Sequence, residues 1–195
     1  MRNKLTIDFP ILVNSENQLQ PDFIPADLVQ APLSQGNKWM ETTAAAQLEK
    51  LIRFIGGEKD IIVTSAYRSF AEQEKLYNYS LRVRGKAYTE LYVARPGCSE
   101  HQTGLAVDLG LSDSQNDEIC PTFNGKEIST RFLERMSEFG FILRYPEGKS
   151  RITGIAYEPW HFRYVGCSYS RFIAQHDWTL EEYYNFFKQW REKDD

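Results

Sequence analysis

Several absences narrow what this chain can be. No stretch approaches the ~20 consecutive apolar residues needed to cross a bilayer as a helix, so no helical membrane span is expected. There is no basic excess either: 23 Lys and Arg stand against 27 Asp and Glu, a formal net charge of -4, which removes the electrostatic footprint of a nucleic-acid binder. Only three cysteines occur, Cys98, Cys120 and Cys167. They cannot all pair within one chain, and so sparse and odd a set points to a reducing compartment, with one bridge plus a free thiol as the other arrangement. The stretch from Met1 to Val13 carries Arg2 and Lys4, but its short apolar run is broken by Asp8 and Pro10. That is not a secretory leader, and the expected location is the cytoplasm. No internal repeat, low-complexity tract or long linker is visible.

What is present is an ordinary globular composition. With 195 residues, 42% hydrophobic and 26% charged, the chain is long enough to bury a core without disulfides, and one domain over 1–195 is expected. Pro10, Pro21, Pro25 and Pro32 punctuate the first forty residues, so 1–40 is read as an extended wrapping segment around a core of 41–195. Leu48, Leu51, Ile52 and Ile55 repeat at helical spacing and Gly56-Gly57 stops them. Ile61 to Thr64 reads as a buried strand that runs into Tyr67-Arg68, and Ser69-x-x-Glu72 is a capping box opening a helix to about Leu81. Residues 82–97, basic and aromatic, read as a loop beside a cleft. Period-two alternation over 105–110 sets Leu105, Val107 and Leu109 on one face and Ala106 and Asp108 on the other.

Residues 112–126 read as a polar excursion. Ser129 is expected to cap a helix carrying Phe132, Leu133 and Met136, closed by Gly140. Residues 141–145 and 152–157 read as strands joined around Pro146-Glu147-Gly148, and Thr179-x-x-Glu182 caps a last helix with Tyr183, Phe186, Phe187 and Trp190 on its apolar side. This order gives an α+β fold: a small, mainly antiparallel sheet packed by helices.

Two of the three histidines sit beside carboxylates, in Ser99-Glu100-His101-Gln102-Thr103-Gly104-Leu105-Ala106-Val107-Asp108 and in Glu158-Pro159-Trp160-His161. A catalytic zinc ion takes three His, Asp or Glu ligands and keeps one position open. His101, Asp108 and His161 fill that set, and Glu158 is left over as a base for the water such a site activates. Side chains alternate along a strand, so Glu158 and His161 converge only if the chain breaks between them. Pro159, which cannot donate to a ladder, supplies the break. A rival arrangement is a structural zinc site from Cys98-x-x-His101 closed by Cys120 or Cys167, although neither cysteine has a partner at the tight spacing such sites use. Arg68 suits either a structural ion pair or a developing oxyanion. Ser99 suits a substrate carboxylate or a turn cap, and His176 has the look of an ordinary surface histidine. Arg82, Arg84, Lys86 and Arg95 read as a solvated basic face that would also favour an anionic substrate.

Taken together, Tyr67-Arg68-Ser69 with Gln73, Ser99-x-His101-x-x-Gly104-x-Ala106-x-Asp108 and Glu158-x-Trp160-His161 resemble the signature of the zinc D,D-peptidases of the VanY, VanX and VanXY type. The likeness runs from about residue 48 to residue 178, and 96–102 and 157–164 resemble the VanXY proteins in particular. It implies hydrolysis of bonds ending in D-alanine, in the D-Ala-D-Ala dipeptide or at the end of peptidoglycan precursor stems, and hence a part in glycopeptide (vancomycin) resistance. By the same resemblance His101, Asp108 and His161 bind zinc, and Glu158 activates water and returns its proton to the departing amine. Arg68 stabilises the oxyanion, Ser99 holds the terminal carboxylate, and Gln73, Tyr67 and Trp160 support the pocket.

One position departs from that pattern. Dipeptidases of this family resemble one another in an aspartate three residues before the arginine, suited to a dipeptide's ammonium; Ser65 stands there. Losing a charge-assisted hydrogen bond costs roughly 1.5–3 kcal/mol, which favours carboxypeptidase action on longer stems unless another acid, such as Glu100, takes the ammonium. Two other readings are an L-Ala-D-Glu peptidoglycan endopeptidase, against which neither an export signal nor a wall-binding module is expected here, and a non-catalytic metal-stabilised binding protein of the same fold. The second would be marked by loss of the base or oxyanion residue, yet Glu158 and Arg68 are both present.

Overall fold

Residues 10–34 and 36–191 are described by a computed structural model. Arg2, Lys4 and Asp8 lie outside the described residues, as does the side chain of Trp190. Residues 10–41 run mainly as turns and extended chain, with β1 (Leu28–Gln30) and β2 (Trp39–Glu41) pairing antiparallel, Val29 opposite Met40. α1 (Thr42–Ile55) starts where the Glu41 carboxylate accepts the Ala44 N–H at 2.9 Å and stops at Gly56, whose left-handed backbone (φ 70°) only glycine adopts readily. Its expected apolar stripe, Leu48, Leu51, Ile52 and Ile55, is buried.

β3 (Ile61–Ser65) leads to α2 (Phe70–Val83), which opens on the predicted capping box: Ser69 N–H to Glu72 Oε2 at 2.8 Å and Glu72 N–H to Ser69 Oγ at 3.3 Å. The expected loop over 82–97 instead contains a helix, α3 (Lys86–Tyr92). Thr89 on its inner face is fully buried and its hydroxyl meets that of Ser80 at 2.7 Å, while Tyr88 and Tyr92 lie one turn apart with ring centroids at 4.9 Å. A short helix held by side chains of another helix leaves little periodicity to read.

A single 3-10 turn, Glu100–Thr103, precedes β4 (Ala106–Leu111). After the excursion come α4 (Glu127–Arg135), β5 (Phe141–Leu143), α5 (Ser150–Thr153), β6 (His161–Tyr164), α6 (Cys167–Gln175) and α7 (Leu180–Arg191). Ser129 does not cap α4; Lys126 occupies that position, and Ser129 sits inside the helix on its buried side. Nor is there a strand over 152–157. Ile152 is 42% exposed, with no sheet to cover it, and a helical turn closed by Gly154 (φ 77°) takes its place. The strand that completes the sheet is β6, beginning at His161.

The four-stranded sheet has the order β3-β4-β6-β5 with every neighbouring pair antiparallel. The result is an α+β fold. Val107, Leu109 and Phe162 join Leu48, Ile52 and Phe132 in the main core, whereas Ile142, Val165, Ile173, Leu180 and Tyr183 form a second cluster under α6 and α7. Each such side chain contributes about 1.5–3 kcal/mol by leaving water. Because β4 is buried along its whole length, the face bearing Ala106 and Asp108 is covered as well, and it roofs the cleft. Among the described residues no helix is long and apolar enough to cross a membrane.

Candidate active site

A row across the sheet sets the site. Ser65 on β3 pairs with Asp108 on β4, and Asp108 pairs with His161 on β6; the first pairing follows an irregularity between Val63 and Ser65 that turns Ser65 into register. Glu158 lies before the strand, where Pro159 interrupts pairing, and its backbone is tied by N–H to Tyr145 C=O at 3.1 Å. The expected break between Glu158 and His161 is therefore present, and Glu158 Oε2 comes to 3.5 Å from His161 Nδ1.

His101 enters from the 3-10 turn. Gly104 ends that turn with φ 70°, and a Cβ there would meet Leu28 Cδ2 at 2.9 Å and Glu41 N at 3.2 Å, which explains the glycine three residues after the histidine. Two bonds fasten the turn to the end of β3: Arg68 N–H to His101 C=O at 3.1 Å, and His101 Nδ1 to Ala66 C=O at 2.6 Å. A carbonyl only accepts, so the hydrogen of His101 is on Nδ1 and a lone pair on Nε2 faces Asp108 Oδ2 at 3.1 Å. Burial lowers the tendency of His101 to take a second proton. An imidazole lone pair pointed at a buried carboxylate oxygen is an arrangement that a cation resolves.

His161 Nδ1 faces the other oxygen, Asp108 Oδ1, at 3.0 Å, and that oxygen, fully buried, has no hydrogen-bond partner among the described residues. One ligand atom from each of His101, Asp108 and His161 lies within 4.8 Å of the others, the one such group of His, Cys, Asp and Glu among the described residues. The donor set thus fits a divalent metal of the nitrogen-and-oxygen-binding kind. Cys98, Cys120 and Cys167 are free thiols and stand outside it, so the structural-zinc arrangement has no support.

The remaining members gather in the same cavity, lined among others by Arg68, Gln73, Ser99, Glu118, Tyr145, Glu158 and Trp160. Among the described residues Arg68 forms no salt bridge. Its Nη1 donates to Gln73 Oε1 at 2.8 Å and its Nη2 to Ser65 Oγ at 2.6 Å, while Gln73 Nε2 donates to Ala94 C=O at 2.7 Å. Ser65 and Gln73 therefore aim the guanidinium. Ser99 is buried and lines the cavity with its hydroxyl uncommitted to a turn cap. Tyr67 lies outside this cavity, in the groove that continues from Ser65 and Arg68 past Lys75 and Tyr79. His176 is an exposed histidine stacked on Phe172, and the basic residues of 82–95 face solvent or pair locally, Arg84 with Asp117 at 2.7 Å.

Environment separates the two site carboxylates. Burial pushes Glu158 up to about 8, with Asp108 adding to the rise against the pull of His161 and Arg68. Asp108 is equally buried, but the two histidines hold it well below the ordinary carboxylate range. One stays ionised, as a metal ligand must, and the other can carry a proton near neutrality; such a divergence marks acid/base roles.

Glu100 is not where a substrate ammonium could meet it. The side chain is fully buried, with Oε1 accepting from Arg144 Nε at 2.8 Å and Arg163 Nη1 at 2.7 Å. Arg144 in turn grips Glu181 of α7 through Nη1 and Nη2 at 2.8 and 2.5 Å. Sequence reasoning missed this network and Tyr145, whose ring centroid lies 4.9 Å from that of His161. The available signal was an arginine inside each of two apolar strand stretches, Phe141 to Tyr145 and His161 to Tyr164.

A His, Asp, His triad held by a 3-10 turn and two strands, with a carboxylate beside it and a guanidinium aimed into the same cleft, defines a metallopeptidase. The chain belongs to the VanY family, described as D-alanyl-D-alanine carboxypeptidase, which matches residues 37–167. It is 48% identical over 179 residues, 91% of this chain and 94% of the relative, to the bifunctional D-Ala-D-Ala dipeptidase and D-Ala-D-Ala carboxypeptidase VanXYC of Enterococcus gallinarum. The fold is similar to the vancomycin-resistance D,D-dipeptidase VanXYg bound to a D-Ala-D-Ala phosphinate analogue, with TM-score 0.84, 38% identity and coverage of 90% of this chain and 70% of that one. It is also similar to the D,D-pentapeptidase VanY of a VanB-type resistance cassette in complex with Zn(II), with TM-score 0.74, 32% identity and coverage of 89% and 97%.

Proposed function

We propose that this protein is a zinc-dependent D,D-carboxypeptidase that removes the terminal D-Ala from peptidoglycan precursor pentapeptides in the cytoplasm, so withdrawing the ends that glycopeptide antibiotics bind. His101 Nε2, an Asp108 carboxylate oxygen and His161 Nδ1 hold the metal. Bound there, zinc supplies Lewis acidity toward a carbonyl and toward water. The observation that carries the reading is the pairing of Glu158 with that triad: its carboxylate lies 3.5 Å from a ligand nitrogen in a cavity shared with Arg68.

Glu158 takes the proton of the attacking water and delivers it to the departing amine, a task suited to a carboxyl raised toward neutrality. Arg68, braced by Ser65 and Gln73, meets the oxygen on which negative charge develops. Ser99 offers a hydroxyl to the carboxylate of the leaving D-Ala, and Trp160 and Tyr145 close the walls against water.

The deciding measurement is D-Ala release from a muramyl-type pentapeptide by zinc-loaded protein, beside a chelated control and Glu158→Gln. Release that needs both zinc and Glu158 is expected. Hydrolysis unaffected by Glu158→Gln would remove it as the base, and no chelator-sensitive release would overturn the D,D-peptidase reading.

A further inference from the structure

An open groove leaves the cleft at Ser65 and Arg68, lined by Lys38, residues 64–67 and the α2 side chains of Glu72, Lys75, Leu76 and Tyr79. Three cations, Lys38, Arg68 and Lys75, stand there with two carboxylates, Glu72 and Glu118, although the chain as a whole carries a net charge of -4. The hydrolytic site accounts for Arg68 alone. We propose that Lys75 binds a free carboxylate on the acyl part of the substrate, two residues before the one whose carbonyl is attacked, and so makes the enzyme select stems whose second residue is acidic. The proposal rests on the D,D-peptidase reading of the site.

The direction of the substrate follows from what each opening holds. Ser99, which in the proposed reaction faces the carboxylate of the leaving D-Ala, lines the catalytic cavity but not this groove. A second hollow, past Val93 and Ala94 to Arg95, contains Cys98, the neighbour of Ser99, and lies on the leaving side. The acyl chain therefore departs along α2. On that helix Glu72 stands three or four residues from Lys75 and Leu76, and each of these three or four from Tyr79, so that all share one face. At about 1.5 Å per residue, Lys75 lies about 9 Å along the axis from Ser69. In a pentapeptide whose second residue is a glutamate joined through its side chain, the free α-carboxylate is slightly more than three residue lengths, about 12 Å when extended, from the attacked carbonyl carbon. The flexible lysine stem spans the difference.

The charges of the groove leave Lys75 available. Glu72 is tied to the helix cap, its Oε2 accepting from Ser69 N–H and Ser69 Oγ at 2.8 and 2.6 Å. Lys75 is exposed and, among the described residues, forms no ion pair. Farther along the helix Arg82 adds a further cation, its guanidinium 5.8 Å from the centre of the exposed Tyr79 ring. An ion pair in water is weak, because solvent screens it and two mobile side chains must be held. Its consequence is therefore discrimination between stems and not tight binding. A substrate with a neutral second residue leaves Lys75 solvated, as it is in the free enzyme.

The test measures kcat/KM at low ionic strength for the zinc-loaded wild type, Lys75→Gln and Lys75→Glu on three substrates: the pentapeptide with a side-chain-linked D-glutamate at its second position, the same peptide with that carboxylate converted to a carboxamide, and N-acetyl-D-Ala-D-Ala. Wild type should favour the carboxylate peptide about threefold to fivefold, mostly through KM, the range of an exposed ion pair, and lose the preference at high salt. Lys75→Gln should abolish the preference and Lys75→Glu should reverse it, while all three proteins cleave N-acetyl-D-Ala-D-Ala alike. Equal rates on the two stems in wild type, or a preference unchanged by either substitution, would overturn the proposal and leave the D,D-peptidase reading in place. No D-Ala release from any of the substrates would remove that reading and this proposal with it.

Discussion

Glu100 Oε2 lies 3.8 Å from His161 Nε2, on the side of the imidazole opposite the nitrogen that faces Asp108. Burial alone would raise this carboxyl, but Arg144 and Arg163 hold it ionised, well below its ordinary range. The result is a carboxylate behind the histidine proposed as a ligand, the arrangement that fixes ring orientation and strengthens a metal ligand. The brace extends to α7 through Arg144 and Glu181, so the last helix takes part in aiming a group in the cleft.

Glu100→Gln keeps the shape and removes the charge. Zinc affinity should fall roughly tenfold to a hundredfold. The buried guanidinium of Arg163 would also lose its counter-charge, and that of Arg144 would be left with Glu181 alone, costing about 3–5 kcal/mol of stability. Competition against a chromophoric chelator reads the first effect and denaturant unfolding the second. A destabilised protein with unchanged zinc affinity would reduce Glu100 to a core ion pair.

Zinc uptake should depend on pH with a definite sign. Burial works against a charge on His161, but the Asp108 carboxylate 3.0 Å from Nδ1, with Glu100 and Glu158, outweighs it and holds the imidazole pKa above its ordinary value. His101 is shifted the other way. Around neutral pH, metal binding must therefore displace one proton, from His161. Affinity should rise about tenfold per pH unit from about pH 6 to pH 8, one proton being released per zinc bound. Calorimetry in buffers of different ionisation enthalpy counts that proton; a flat profile would mean that His161 is already neutral.

The parts of this site that could be read from sequence are those set by neighbours along the chain. Alternation over 105–110 placed Asp108 away from Val107 and Leu109, and Pro159 announced the break that lets Glu158 join His161. The parts that could not be read depend on folding distant segments together. Glu100 looked like a free acid because nothing near it reveals that Arg144, Arg163 and Glu181 converge on one buried spot. Residues 152–157 carry strand-like apolar residues, yet the place beside β5 expected for them is taken by β6, which pairs with both β4 and β5. α3 was hidden because it is short, is held to α2 through Thr89 and Ser80, and sends only Tyr92 against the main core.

Gln73 acts through Arg68. It is 2% exposed, accepts from Arg68 Nη1 and donates to Ala94 C=O. Gln73→Leu should cut kcat roughly tenfold to a hundredfold with little change in KM, since a guanidinium displaced by even an ångström loses its aim at the oxyanion. Arg68→Ala should cost more, about a hundredfold to a thousandfold. If Gln73→Leu lowered only the melting temperature, Gln73 would be a brace for the Ala94 segment alone.

The excursion over 112–126 is latched to the sheet through one glycine. A Cβ on Gly110 would stand 2.7 Å from Asn116 Cγ and 2.8 Å from Thr64 Cγ2. Asn116 is not free to yield: its Nδ2 donates to Leu111 C=O at 3.0 Å and Ser114 C=O at 3.1 Å, and its Oδ1 accepts the Thr122 N–H at 3.1 Å. Gly110→Ala should expel that side chain and lose about 1–3 kcal/mol, at the net worth of ordinary hydrogen bonds. The segment carrying Glu118 and Ile119 would then open to protease and KM would rise for every substrate. Asn116→Ala should reproduce both effects, and the double variant should cost little more than either single one, because both act by removing the same latch. Additive losses would place the glycine's role in Thr64 and the strand, and not in the loop above the cleft.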